Sequence, residues 1–154
     1  NHISFKLQLE AEFARSQRAA SPLTFAMIDI DHFKQVNDHY GHLIGDQVIK
    51  SMAKLLRKRL RRSDMIGRYG GEEFAVVMPD TSLDTGCAVL DQLREQFSSI
   101  RQVSDQKTFT CTFSAGVATA LPGTSGTMAM LIQQADAALY EAKNRGRNQV
   151  CHAG

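Results

Sequence analysis

Gly70-Gly71-Glu72-Glu73-Phe74 places two glycines directly before two acids. Adjacent acids at a turn are usually solvated, so this run says little until Asp29 is set beside it. Leu23 to Ile28 is a nearly continuous apolar run that finishes in Asp29-Ile30-Asp31, which puts carboxylates where a buried strand leaves the core. If a hairpin at Gly70-Gly71 lies beside that strand, Asp29, Glu72 and Glu73 converge. Three carboxylates that close repel one another and need a hard cation. Oxygen ligands with room left for phosphates suit Mg²⁺ or Mn²⁺. Glycines without side chains would let phosphates lie against the backbone.

The elements that must position these groups are legible from periodicity. Phe5, Leu9 and Phe13 recur at helical spacing, which predicts a helix from about Ile3 to Ala20, ended by Ser21-Pro22. A buried strand over 23–28 and a short helix from Asp31 to Asp38 come next. Val48, Ile49, Met52, Leu55, Leu56 and Leu60 give a helix from Asp46 its apolar face, with Asp46 as its expected N-cap. Met65–Tyr69 and Phe74–Met78 flank the glycines as a hairpin, on the reading that glycine supplies a positive φ there. Val89, Leu90, Leu93 and Phe97 mark another helix. Strict alternation from Phe109 to Val117 predicts one strand with one buried face. A last helix over Leu131 to Ala142 ends at Gly146, and Asn148 to Cys151 reads as an edge strand. A hairpin mixed with helical crossovers predicts an α+β fold with a central, mainly antiparallel sheet flanked by helices.

Bulk properties narrow the class. The 154 residues are one domain's worth of chain, read as a single domain over 1–154. A formal net charge of +2 is too small to argue for nucleic acid or a membrane surface. Cys87, Cys111 and Cys151 are odd in number without C-x-x-C spacing, and read as reduced cytosolic thiols. No apolar run reaches the length of a membrane span. We therefore expect a cytoplasmic domain without membrane contact of its own, within a protein whose upstream part could be membrane-anchored.

Nearly the whole sequence resembles the GGDEF family of diguanylate cyclases. The runs that carry the resemblance are Asp29-Ile30-Asp31-His32-Phe33-Lys34, Asn37-Asp38, Gly41-His42 with Gly45-Asp46, and Arg68-Tyr69-Gly70-Gly71-Glu72-Glu73-Phe74. Ser114-Ala115-Gly116-Val117, Ala135-Asp136, Ala138-Leu139-Tyr140, Ala142-Lys143 and Gly146-Arg147-Asn148 follow in order. Glu72 stands where the family name has Asp, which keeps the carboxylate.

The resemblance implies the palm, or nucleotidyl cyclase (ferredoxin-like), fold and condensation of two GTP into cyclic di-GMP, with release of two pyrophosphates. It implies Asp29 and the Ile30 carbonyl as metal ligands, joined by Glu72 or Glu73, with Glu72 and Glu73 as the catalytic acids. Glu72 would help to deprotonate the attacking 3′-hydroxyl. Gly70 and Gly71 would line the phosphate site, and Lys34, Lys143 and Arg147 would neutralise the triphosphate. Lys143 and Arg147 are four residues apart, close to one helical face. Phe33 and His42 belong to the GTP set, and Asn37 and Asp46 would read the base. Guanine presents two adjacent donors that one carboxylate accepts together, which favours GTP over ATP.

Each domain would bind one GTP, so the active state would be a homodimer set by an upstream regulatory module. The D-x-L-T-G-L-x-N-R stretch of family members is missing apart from Asn1-His2, so we expect an N-terminally truncated catalytic domain. Arg61 and Asp64 form the R-x-x-D pattern that serves the family as its product-inhibition site for cyclic di-GMP. The additional arginine of that site is not evident: Gln92 lies near its expected place, with Arg94 close by.

Three other readings compete. One is an inactive module that binds GTP or cyclic di-GMP without catalysis; degenerate relatives usually lose the hairpin acids, which this chain keeps. His32, His39 and His42 with Asp38 suggest zinc, but match no usual spacing. The basic stretch from Lys54 to Arg62 lacks the interleaved aromatics of a nucleic-acid binder.

Overall fold

Leu23–Ile30 forms β1, and every one of its residues is buried. That strand is the centre of a computed structural model that describes residues 2–123 and 126–153. Asn1 and Gly154, the ends of the expected domain and of the Asn1-His2 remnant, lie outside the described residues.

The chain runs α1 (His2–Ala19), β1, α2 (Phe33–Tyr40), α3 (His42–Arg59), β2 (Met65–Arg68), β3 (Glu73–Pro79) and α4 (Leu83–Ser98). It continues through β4 (Gln102–Ser104), β5 (Lys107–Phe109), β6 (Phe113–Ala120), α5 (Met128–Asn144) and β7 (Val150–His152). The main sheet has the order β2-β3-β1-β6-β7, antiparallel throughout except for β6 with β7. This is the expected α+β architecture, a five-stranded sheet flanked by helices.

Strand alternation divides the core in two. Phe25, Met27, Ala75 and Val77 pack against Phe5 and Leu9 of α1 and Leu131, Ala135 and Leu139 of α5. Ala26, Ile28, Val76, Phe113 and Val117 face the other way, onto α3 and α4 through Val48, Met52, Leu56, Leu90 and Phe97. Burying each such large side chain contributes about 1.5–3 kcal/mol. The α5 helix lies unusually close to β6 because Gly116 has no side chain. A Cβ there would come within 2.1 Å of the Ala135 carbonyl oxygen and 2.2 Å of the Leu139 nitrogen. This approach brings the C-terminal turn of α5 to the end of β1.

The structure corrects four expectations. The single strand over 109–117 is two elements. Phe109 ends the small β4–β5 hairpin and stacks on Tyr40, with ring centroids 4.1 Å apart and planes 6° from parallel, while pairing with β1 begins at Phe113. β6 is also buried on both faces rather than one, with Ser114 fully inside. The helix expected from Asp46 begins at His42 with Gly41 as its cap, so Asp46 is not an N-cap. Gly70 and Gly71 do not use a positive φ; among the described glycines only Gly41, Gly123 and Gly146 do.

Candidate active site

Asp29 lies opposite Glu73 on the β1–β3 ladder and opposite Ser114 on the β1–β6 ladder. Directly opposed residues share a sheet face, so Asp29 and Glu73 both look toward α5. Lys143, in the last turn of α5, donates to the Asp29 carboxylate. Burial pushes the Asp29 carboxyl above its usual range; Lys143 opposes this, and the charges of Glu72 and Asp31 add to it. Glu73 is raised as well, by burial first and then by Asp29 and, more weakly, Asp136 and Glu72, with Lys143 acting against them.

The hairpin tip is held by its own backbone and by Arg68. The Tyr69 N–H donates to the Glu73 carbonyl at 2.8 Å, and the Arg68 guanidinium donates to the Gly71 carbonyl at 2.7 Å. The Ile30 N–H donates to the Glu72 carbonyl at 3.3 Å, which binds the tip to the end of β1. Arg68 is a positioning group that sequence reasoning passed over, although it opens the Arg68–Phe74 motif. A Cβ at Gly70 would lie 3.1 Å from the Glu73 carboxylate, whereas Gly71 faces open space. Gly70 is crowded only by the Glu73 side chain, and neither glycine needs a special φ.

Asp29, Ile30, Phe33, Lys34, Glu72, Lys143 and Arg147 line one cleft of about 360 Å³. Glu73, Gly70 and Gly71 stand beside it rather than on its wall. Glu73 opens β3, whereas Glu72 lies in the bend before it and lines the cleft. Among the described residues no three acidic, histidine or cysteine side chains close into a cage. In place of the expected convergence of three carboxylates, Asp29 pairs in register with Glu73 while Glu72 lies on the cleft wall with Asp29. This donor set still suits a hard cation: it is oxygen-only, Asp29 is buried, and Lys143 shows that Asp29 takes a positive charge.

Lys143 and Arg147 reach the same cleft, but not from one helical face. α5 ends at Asn144, and Arg147 (φ 64°) and Asn148 (φ 49°) form a left-handed turn beyond it. Asp31 holds this turn. Its carboxylate accepts from Thr112 and Ser114 hydroxyls at 2.7 Å each and from the Asn148 N–H at 3.0 Å. Asp31 is thus a brace and not a second open carboxylate, a role its place in Asp29-Ile30-Asp31 did not reveal.

The residues expected to read the base sit at the α2–α3 corner. The Asn37 side-chain oxygen is buried without a hydrogen-bond partner, pressed against Gly45, where a Cβ would approach it to 1.9 Å. Phe33 spans the corner and the cleft, its ring 3.3 Å from the same Cβ position. His42 and Asp46 are exposed on the first turns of α3.

Arg61 and Asp64 lie elsewhere. Arg61 bonds Asp64 at 3.1 Å, the Pro79 carbonyl at 2.9 Å and the Thr81 hydroxyl at 2.7 Å. Pro79 pairs with Leu23, at the opposite end of β1 from Asp29, about 20 Å away at strand rise. Arg94 is committed to Asp91 and Asn148 and is not free to join that site.

A family model described as diguanylate cyclase, GGDEF domain, matches residues 1–149. Diguanylate cyclase DgcP of Pseudomonas aeruginosa is 43% identical over 150 residues, covering 97% of this chain and 22% of that protein. The chain thus spans under a quarter of that relative's length. The solved active GGEEF domain of a diguanylate cyclase from Vibrio cholerae superposes with a TM-score of 0.93 at 34% identity, covering 100% of this chain and 97% of that one. The GGDEF domain of DgcB from Caulobacter crescentus, in complex with c-di-GMP, gives a TM-score of 0.91 at 35% identity, covering 99% and 90%.

Proposed function

This chain belongs to the GGDEF-domain family of diguanylate cyclases, and we propose that it condenses two GTP molecules into cyclic di-GMP, releasing two pyrophosphates. The observation that carries the reading is the end of β1. Asp29, in register with Glu73, opens with Glu72 onto a cleft that also presents Lys34, Lys143 and Arg147. Acids beside bases in one cleft suit a triphosphate that arrives with a divalent cation.

In this reading Lys34, Lys143 and Arg147 neutralise the triphosphate, and Gly70 and Gly71 leave room for it beside the hairpin. Asn37 and Asp46 read guanine, with Phe33 and His42 completing the pocket; the unpartnered Asn37 oxygen supports this. Glu72 takes the proton of the attacking 3′-hydroxyl, which adds to the α-phosphate of a second GTP as pyrophosphate leaves. Asp29, the Ile30 carbonyl and Glu72 or Glu73 would hold Mg²⁺ or Mn²⁺, which supplies charge stabilisation on the phosphate oxygens.

One GTP per domain makes the active form a homodimer. Arg61 and Asp64 would take cyclic di-GMP as an inhibitor, at the far end of the sheet from the reaction. No helix among the described residues is long and apolar enough to cross a membrane.

The test is incubation of the concentrated protein with GTP and Mg²⁺, resolving products by chromatography, with Glu72→Ala as control. Cyclic di-GMP from the wild type alone supports the reading. Absence of product even from an artificially dimerised form contradicts the cyclase reading and makes the nucleotide-binding module the reading to test next.

A further inference from the structure

Arg94 sits on α4, outside the cleft, yet it reaches the turn that carries Arg147. Its Nη1 donates to the Asn148 side-chain oxygen at 3.0 Å, while Nε donates to Asp91 at 2.9 Å. The side chain is only 18% exposed, so the guanidinium is fixed and not a mobile surface charge.

The turn needs such a hold. Gly146, Arg147 and Asn148 are three successive residues with positive φ (115°, 64° and 49°), strained at the two non-glycine positions and held locally by the Arg147 N–H on the Ala142 carbonyl and by Gln149 on the Arg145 and Arg147 carbonyls. Asn148 is gripped on both sides: Asp31 accepts its main-chain N–H, and Arg94 donates to its side chain. Arg147, one residue earlier, is exposed and makes no ion pair among the described residues, so its guanidinium is available to a ligand in the cleft.

We infer that Arg94 is a positioning residue for the triphosphate: by fixing Asn148 from α4 it fixes Arg147 over the cleft. This rests on the reading that the cleft binds GTP. Arg94 touches no nucleotide and acts only through the turn. Its effect therefore belongs to the phosphates and not to the guanine, which binds at the α2–α3 corner.

Calorimetric binding of a non-hydrolysable GTP analogue and of guanosine separates the two. Arg94→Gln is expected to weaken the analogue by about tenfold, the loss of a charge-assisted hydrogen bond, with guanosine changed less than about twofold. Asn148→Gly, which tolerates the positive φ and removes the acceptor, is expected to lose at least as much. That keeps the test alive if Arg94→Gln folds poorly by thermal unfolding. In an Arg147→Ala background, adding Arg94→Gln should cost nothing further, because the two act in series. Wild-type affinity in Asn148→Gly, equal losses for analogue and guanosine, or a full additional loss in the double variant overturns the inference. Absence of analogue binding by the wild type overturns the GTP reading itself.

Discussion

Asp29 and Glu73 face each other in register across the β1–β3 ladder, on the sheet face that α5 covers. Burial raises both carboxyls, and the Asp29 charge raises Glu73 further. A carboxyl raised in the native state is expected to cost stability at neutral pH, a trade that a cation-binding site would offset. Glu73→Gln preserves shape and removes one charge. We expect its melting temperature at pH 7 to rise by about 1–3 °C while cyclase activity falls at least about a hundredfold. Calorimetry and product chromatography on one preparation check both; a lower melting temperature contradicts the account.

The pH dependence follows from the same shifts. A carboxyl whose native pKa lies above its unfolded value holds extra protons in the folded state. Its contribution is fully present below the unfolded value near 4 and is lost as pH rises through the raised native one. The stability gap between Glu73→Gln and wild type should therefore be widest near neutrality and close below about pH 4. Denaturant titrations from pH 4 to pH 8 would show it. If Mg²⁺ binds these carboxylates as proposed, it competes with their protons, so its stabilisation of the wild type should fade on acidification and be absent in Asp29→Asn.

Gly45 is where the α2–α3 corner has no spare room. A Cβ there meets the Asn37 oxygen at 1.9 Å, so Gly45→Ala must displace Asn37. The expected result is a loss of about 1–3 kcal/mol in stability and a raised KM for GTP. Selectivity over other nucleoside triphosphates should narrow. Steady-state kinetics with GTP and ATP reads this, and unchanged selectivity removes Asn37 from base recognition.

Arg61 ties Asp64 to the β3–α4 connection at the far end of the sheet. Arg61→Ala should raise the concentration of cyclic di-GMP needed for half-inhibition by about tenfold or more, through loss of a guanidinium that can fork to phosphate. Inhibition measured at fixed GTP tests it. Inhibition unchanged in Arg61→Ala would place the product's site elsewhere.

Much of this was legible in the residues. The apolar run of β1 and the acids at its end singled out Asp29, and the glycine-rich hairpin singled out Glu73, because both signals are local; that the two strands pair was only a condition of the reading, which the ladder supplies. What sequence could not show arises from contacts distant in the chain. Phe109 leaves the β6 line to stack on Tyr40, which periodicity alone cannot foresee. Lys143 and Arg147 look like a helical pair, but Gly146 ends the geometry that spacing assumes, and the left-handed turn is held by Asp31 and Arg94 from other elements. Asp46 reads as a cap after a glycine, yet α3 starts a turn earlier because Gly45 is needed for the approach of Asn37 and not for a break. The Gly116 contact with α5 was likewise silent, since only the packed helix shows why a side chain is excluded there.

The most direct test of the central claim is the stoichiometry of the reaction in wild type and Asp29→Asn, measured by mass-resolved chromatography with a pyrophosphate assay. The account predicts two pyrophosphates released per cyclic di-GMP formed by the wild type with Mg²⁺, and neither product from Asp29→Asn although it stays folded. Cyclic di-GMP formed by Asp29→Asn at the wild-type rate would contradict it.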